Sequence, residues 1–217
     1  RFALQLVDRH MPQLRVPFVD NAEVPYCVLL ENSDSESEDH ARARFEALLE
    51  MAFDAGCVTD AVVAESLAQA QQLWHIRESI PLAQAEEGLN IKHDISVPIS
   101  RIPAFVDYAD ALMEREIAGV RLVNFGHLGD GNLHYNVQAP EGADGKAFLR
   151  DEEKRINTLV FDTVARHHGS ISAEHGIGSL KAHELPRDKS PVALRLMHAI
   201  KDALDPQGIM NPGRVLA

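Results

Sequence analysis

With 217 residues, 45% of them hydrophobic and 25% charged, this chain can bury a substantial core as one large domain or two small ones. A net charge of −12 without a basic cluster argues against a nucleic-acid surface. No apolar run reaches membrane-spanning length, and the N-terminus lacks the form of a signal peptide.

Residues 1–23 are mixed, and Pro12 and Pro17 oppose regular structure, so they read as a lead-in or edge segment. Val24 to Leu30 has strand composition, with Pro25 suited to a strand start or edge. Cys27 there and Cys57 lie in apolar surroundings without Cys-x-x-Cys spacing. They read as buried free thiols in a reducing, cytoplasmic setting. The Ser-and-acid run Asn32 to Asp39 is a solvated loop opening a helix over Ala41 to Ala55. Phe45, Leu48, Leu49 and Ala52 form that helix's stripe, and Gly56 stops it. Val62 to Ala64 is a short strand.

Ser66 with Gln69 makes a capping box for a longer helix whose face carries Leu67, Ala70, Leu73 and Trp74, with Arg77 next on it. A guanidinium continuing an apolar stripe snorkels, pairs with a carboxylate or awaits an anion. Pro81 kinks or ends this helix, unless Leu82 to Glu87 continue it. From Asn90 to Val97, Ile91, His93, Ile95 and Val97 alternate with Lys92, Asp94 and Ser96, a strand with one polar face. Lys92 there either holds a carboxylate or belongs to the wet face of the sheet. Ser100 caps a helix to about Ile117, with Ile102, Phe105, Val106, Ala109, Leu112 and Met113 inward.

Asn124 to Val137 is the stretch richest in chemistry. Gly129-Asp130-Gly131-Asn132 is dense in turn-forming residues, between two runs suited to strands, and predicts a tight β-hairpin. A continuous strand would put His127 and His134 on opposite faces, whereas a turn between them lets both imidazoles converge. Two imidazoles want a carboxylate to complete a metal site, and Glu174 in Ser172-Ala-Glu-His-Gly-Ile-Gly is the candidate. Zinc or manganese would suit His127, His134 and Glu174, leaving His175 beside them as a base. The plainer alternative is that the histidines are turn-adjacent polar residues satisfied by the backbone. Lys146 to His168 is a long helix ended by Gly169; His167 and His168 carry no role. Pro191 to Leu204 is another, with Leu196, Met197, Ile200 and Leu204 on one face, and Asn211-Pro-Gly-Arg is a turn by composition.

The antiparallel hairpin and the recurring strand-helix-strand order predict an α+β fold. The expected sheet is antiparallel with helices on one face, in a ferredoxin-like split arrangement, and the last helix is an appendage.

Phe125-Gly-His-Leu-Gly-Asp-Gly-Asn-Leu-His, Ser172-Ala-Glu-His-Gly-Ile-Gly and the closing Asn211-Pro-Gly-Arg resemble the C-terminal half of FAD-linked oxidases of the vanillyl-alcohol-oxidase type. The family includes D-lactate and D-2-hydroxyglutarate dehydrogenases; the resemblance runs from about Val24 to the C-terminus, and Lys92-His-Asp-Ile-Ser-Val-Pro tilts it towards the D-2-hydroxyglutarate branch. It implies that residues 1–217 are a substrate- and metal-binding domain, with the FAD-binding domain upstream in the same polypeptide and docked by the last helix. The implied reaction oxidises a 2-hydroxyacid to a 2-oxoacid with hydride transfer to FAD, then to an acceptor protein or quinone. A homodimer is one option for the assembled protein. By resemblance His175 is the general base, Arg77, Lys92 and Asn136 orient the acid, and Asn211 contacts the flavin. Pro81 departs from the family pattern, which has a hydroxyl-bearing residue there, so one contact to the distal acid is missing.

Two other readings use the same residues. A metal-dependent hydrolase would need no upstream domain, but neither His-Glu-x-x-His nor Gly-x-Ser-x-Gly is present. A non-catalytic ferredoxin-like binding module would make the histidines structural. The resemblance also implies that these 217 residues alone do not turn over a hydroxyacid.

Overall fold

Ala3, Leu6 and Val7 lie about one turn apart and give the first residues a buried helical face, so Phe2–His10 is helix α1 rather than a lead-in. The computed structural model describes residues 1–21 and 23–216. Ala22, in the expected lead-in, and Ala217, at the end of the expected domain, lie outside the described residues. The chain divides into two compact units, Arg1–Glu87 and Gly88–Ala217.

The first unit is helical. Helix α2, Glu38–Asp54, is capped by Ser37, whose hydroxyl accepts the His40 N–H, but its expected stripe buries no residue. Helix α3, Leu67–Glu87, starts at the expected box: Ser66 Oγ accepts the Gln69 N–H, and Gln69 Oε1 accepts the Glu65 N–H. Pro81 lies inside α3, which continues past it. A proline removes one donor from the ladder, and the packed turns on either side outweigh that loss here.

The stripe expected on α3 is not the one that packs. Leu67 is 83% exposed, while Ile76, Ser79, Ile80, Ala83 and Gln84 are buried in the second half of the helix, which packs with α1. Glu87 ties the two together, accepting from Arg9 Nη1 at 3.0 Å and lying 2.7 Å from His10 Nε2. Val24 to Leu30 and Val62 to Ala64 form no strand, and Tyr26, Val28, Leu30, Val62 and Val63 are exposed. Strand composition becomes strand only where a neighbouring backbone supplies the ladder. Cys27 and Cys57 are exposed free thiols, not buried ones, because the apolar segments around them do not pack.

The second unit holds the sheet. Strands β1, Asn90–Ile91, and β2, Asp94–Ser96, are two pieces of the expected 90–97 strand. Strands β3, Arg121–His127, and β4, Asn132–Gln138, form the hairpin. β4 pairs antiparallel with all three. The β1 and β2 pairings share one register, which sets Lys92 opposite Asn136 across the break. At the break the Asn136 amide oxygen replaces a main-chain acceptor and takes the His93 N–H at 3.1 Å.

Helix α4, Ile102–Glu116, buries all six residues expected to face inward. Ser100 falls in a 3-10 turn before it instead of capping it. Helix α5, Gly145–Arg166, is capped by Asp144, which accepts from Lys146 and Ala147. A single bridge from Ser96 to Ser170 follows it. The order strand, helix, hairpin, helix, bridge is the split ferredoxin-like arrangement with its last strand reduced to one residue. Ile91, Ile95, Val97, Leu133, Tyr135 and Val137 join residues of α4 and α5 in one core, so the helices cover one face and the fold is α+β. Helix α6, Leu185–Asp188, is short. Helix α7, Pro191–Leu204, has the expected bounds and buries no residue, consistent with an appendage.

Two titratable groups in this core oppose each other. Burial pushes the His93 imidazole down to about 4, despite contacts to Tyr135 and Asn157. Burial pushes the Asp110 carboxyl up to about 6, partly offset by the Tyr135 hydroxyl that donates to it. His93 binds fewer protons folded than unfolded between its unfolded value near 6.5 and about 4, so its contribution to stability, about 3 kcal/mol at most, is lost as pH falls through that window. Asp110 binds more protons folded than unfolded, so its contribution is lost as pH rises through about 6. Asp110→Asn is therefore expected to steepen the loss of stability between pH 6.5 and 4, read by denaturant midpoints. An unchanged slope would contradict the assignment.

Candidate functional site

The site lies on the sheet face opposite the helices. In an antiparallel pair, residues directly opposite share a face. Register therefore sets three rows side by side: Ser96, Asn132 and His127; Asp94, His134 and Phe125; Lys92, Asn136 and Val123. His127 and His134 sit in adjacent rows of the hairpin on that one face. The tip between them is a short 3-10 turn, Leu128–Asp130, closed by Gly131 at φ +78°, and Asp130 accepts the Asn132 N–H at 3.0 Å. A side chain at Gly126 would overlap the Asn132 carbonyl, so the close pairing there needs glycine.

Glu174 reaches this face from the irregular segment after Ser170. Its two carboxylate oxygens divide between the hairpin imidazoles, Oε1 at 3.2 Å from His127 Nδ1 and Oε2 at 3.7 Å from His134 Nε2. The His134 and His175 ring centres are 6.0 Å apart, and His134 stacks at 4.8 Å on Phe125. The four residues read from the sequence as metal ligands and base are thus brought together.

Asp94 is the residue that sequence reasoning passed over. It is 4% exposed, and its carboxylate accepts the main-chain N–H of Ala173, Glu174 and His175, the last at 2.9 Å. Burial raises its pKa, but the N–H groups of His175 and Glu174 and the nearby His175 and Lys181 charges outweigh that and hold it below the usual range. Lys181 donates to the Ile171 carbonyl at 2.7 Å and to the Asp94 carbonyl at 3.3 Å, and burial lowers its pKa. Its sequence signals were its place on the polar side of an alternating strand and within the Lys92-His-Asp-Ile-Ser-Val-Pro stretch, neither of which gives the side chain a role.

By ligand type the donor set suits a divalent cation, since two imidazoles and a carboxylate are common zinc ligands, and Glu174 approaches each imidazole with a different oxygen, at 3.2 and 3.7 Å. Asn132 lies between His127 and Ser96, 2% exposed, with both amide atoms lacking a protein partner among the described residues. A mutually closer group is Asp94, Glu174 and His175, whose candidate ligand atoms all lie within 4.8 Å of one another. Asp94 already uses its lone pairs on main-chain N–H groups, so the hairpin imidazoles with Glu174 are the better donors.

The remaining predicted residues are placed as follows. Lys92 is exposed at the break between β1 and β2. Asn136 is buried beside it in register, with its oxygen fixed by His93. Asn211 is exposed at φ +48°, in a turn held by Asp205, which accepts from Ile209 and Met210. The end of that turn is tethered to the Glu-His-Gly segment, Arg214 donating to Ser179 Oγ and the Val215 N–H to the Gly178 carbonyl. Arg77 is half-buried on α3, in the other unit.

A family model described as FAD linked oxidases, C-terminal domain, matches residues 2–215. The chain is 38% identical over 204 residues to a D-2-hydroxyglutarate dehydrogenase of Stutzerimonas stutzeri, covering 93% of this chain and 43% of that protein. It is 39% identical to a mitochondrial D-2-hydroxyglutarate dehydrogenase of Arabidopsis thaliana, covering 99% and 36%. A rat mitochondrial D-2-hydroxyglutarate dehydrogenase is 37% identical, covering 98% and 37%. The chain therefore spans less than half the length of these curated relatives. Among the described residues, no helix is long and apolar enough to cross a membrane.

Proposed function

This chain belongs to the family of FAD linked oxidase C-terminal domains, and from that premise we propose that it is the substrate- and metal-binding part of a flavin-dependent D-2-hydroxyacid dehydrogenase. The observation that carries the reading is the Glu174 carboxylate divided between the imidazoles of His127 and His134, with His175 alongside. We assign His127, His134 and Glu174 as ligands of a divalent cation, zinc or manganese. Bound there, the cation would supply Lewis-acid polarisation of the substrate's hydroxyl and carboxylate. FAD, held mainly by the rest of the polypeptide and touched from this chain by Asn211, would supply the hydride acceptor.

The chain's own residues do the rest. His175, whose ring is exposed while its N–H is held by Asp94, takes the hydroxyl proton as the hydride leaves C2 and the 2-oxoacid forms. Lys92 and the Asn136 amide hold a carboxylate by charge-assisted bonds, and Arg77, on the first unit, is assigned carboxylate binding from the resemblance alone. The names of the relatives support D-2-hydroxyglutarate as substrate, a D-lactate-type acid is the second option that the sequence resemblance gives, and Pro81 removes one contact expected for the distal acid. The exposed stripe of Leu196, Ile200 and Leu204 on α7 is the face we assign to the flavin-binding domain. An acceptor protein or quinone reoxidises the flavin. A cytoplasmic setting rests on the two unpaired thiols.

Anaerobic addition of D-2-hydroxyglutarate or D-lactate to the full polypeptide is expected to bleach its flavin, and the L-enantiomers are not. Bleaching by neither D-acid would overturn the proposal. Lys92→Ala is expected to raise KM about tenfold with a smaller change in kcat, because its contact is made in ground state and transition state alike. An unchanged KM would remove Lys92 from the carboxylate site.

A further inference from the structure

Glu174 and His175 do not sit on a helix or a strand. They belong to an irregular stretch between Gly169 and Gly178, with Gly176 and Gly178 both at positive φ. Such a segment has no ladder of its own to fix its course, yet groups that bind and react have to be held within roughly 0.5 Å of their working positions. Asp94 supplies what the segment lacks. Three successive main-chain N–H groups, those of Ala173, Glu174 and His175, converge on its carboxylate at 3.3, 3.1 and 2.9 Å. The Ser172 hydroxyl lies 3.5 Å from the same oxygen, and His175 Nδ1 is 3.7 Å from it. Successive N–H groups turned onto one anion form a concave nest, here filled by the chain's own carboxylate.

The strand on which Asp94 sits matters as much. Asp94 is the register partner of His134, which in turn is the partner of Phe125 on the His127 strand. One buried side chain therefore ties the Glu174–His175 segment to the sheet at the row that carries His134. Lys181 closes the tie from the main-chain side, bridging the carbonyls of Asp94 and Ile171.

We infer that Asp94 is a positioning residue, which holds Glu174 against the two hairpin histidines and His175 at its working position through their main-chain N–H groups, without touching substrate. The inference deepens the dehydrogenase reading and rests on it. Nothing in composition or family motif assigned this residue a role.

The test uses the full polypeptide with Asp94→Asn and Asp94→Glu, beside Glu174→Gln and His175→Asn. Read together are thermal midpoint, bound divalent metal, KM, and the rate of flavin reduction per metal- and flavin-loaded molecule. Displacements of about 1 Å cost on the order of 100-fold in rate, so Asp94→Asn is expected to lower kcat about 100-fold with KM within about threefold. Metal affinity is expected to weaken about 10-fold to 100-fold, as for groups that orient a ligand. Asp94→Glu keeps the charge but displaces it by a methylene, and is expected to stay at least about tenfold below the unsubstituted protein in kcat. A lowered thermal midpoint with normal kcat per loaded molecule would make Asp94 merely structural and overturn the inference. So would full activity of either Asp94 variant while Glu174→Gln and His175→Asn are inactive. Full activity of all four variants, or none in the unsubstituted protein, would overturn the dehydrogenase reading and this inference with it.

Discussion

Glu174→Gln is expected to remove bound divalent metal from the full polypeptide and to lower flavin reduction by substrate on the order of 10³-fold, the scale seen when a group stabilising transition-state charge is lost. The Glu174 carboxylate faces both hairpin imidazoles, at 3.2 and 3.7 Å. Glutamine keeps the size and one oxygen but gives up the negative charge that a site with two neutral imidazoles needs to balance a divalent cation. The main-chain N–H of Glu174 would stay with Asp94, so the fold is expected to survive. The measurements are elemental analysis and anaerobic stopped-flow bleaching of the flavin. Undiminished metal with undiminished bleaching would take Glu174 out of the site.

His175→Asn is expected to lower kcat/KM on the order of 10³-fold while leaving the metal in place. A positioned base contributes about 10²- to 10⁴-fold. The imidazole is exposed, so its removal leaves no buried hole, and its main-chain bond to Asp94 is independent of the side chain. The pair of variants separates two roles within neighbouring residues: Glu174→Gln loses metal and turnover, whereas His175→Asn loses turnover alone. Loss of metal in His175→Asn would make His175 a ligand, as its proximity to Asp94 and Glu174 also allows geometrically.

The second unit was largely legible in the sequence. The glycine-rich turn between His127 and His134 fixed a hairpin, and the period-two pattern of 90–97 correctly divided Ile91, His93, Ile95 and Val97 from the polar side. Both features are local, and local patterns are what sequence periodicity carries. The break at Lys92-His93 was not visible, because it depends on the amide of Asn136, 43 residues away. Asp94 was hidden for the same reason, since its partners lie 79 to 81 residues downstream and bind through main-chain N–H groups that have no side-chain signature.

The first unit was read less well, for a different physical reason. Val24 to Leu30 and Val62 to Ala64 have the composition of strands, but a strand is a pairing, and these segments find none among the described residues. On α3 the apolar residues of the first half made the stripe, whereas the burial lies in the second half around Ile76 and Ile80, where α1 packs. A buried Ser79 and Gln84 within that patch blurred its periodicity.

The central claim is that His127, His134 and Glu174 form one metal site on which oxidation of the hydroxyacid depends. The most direct measurement is flavin reduction by the D-2-hydroxyacid in the full polypeptide before chelation, after chelation with elemental analysis, and after zinc or manganese is restored. The account predicts that chelation strips a divalent metal, that reduction collapses with it, and that the added metal restores both. A polypeptide free of metal that reduces its flavin at the original rate would contradict it.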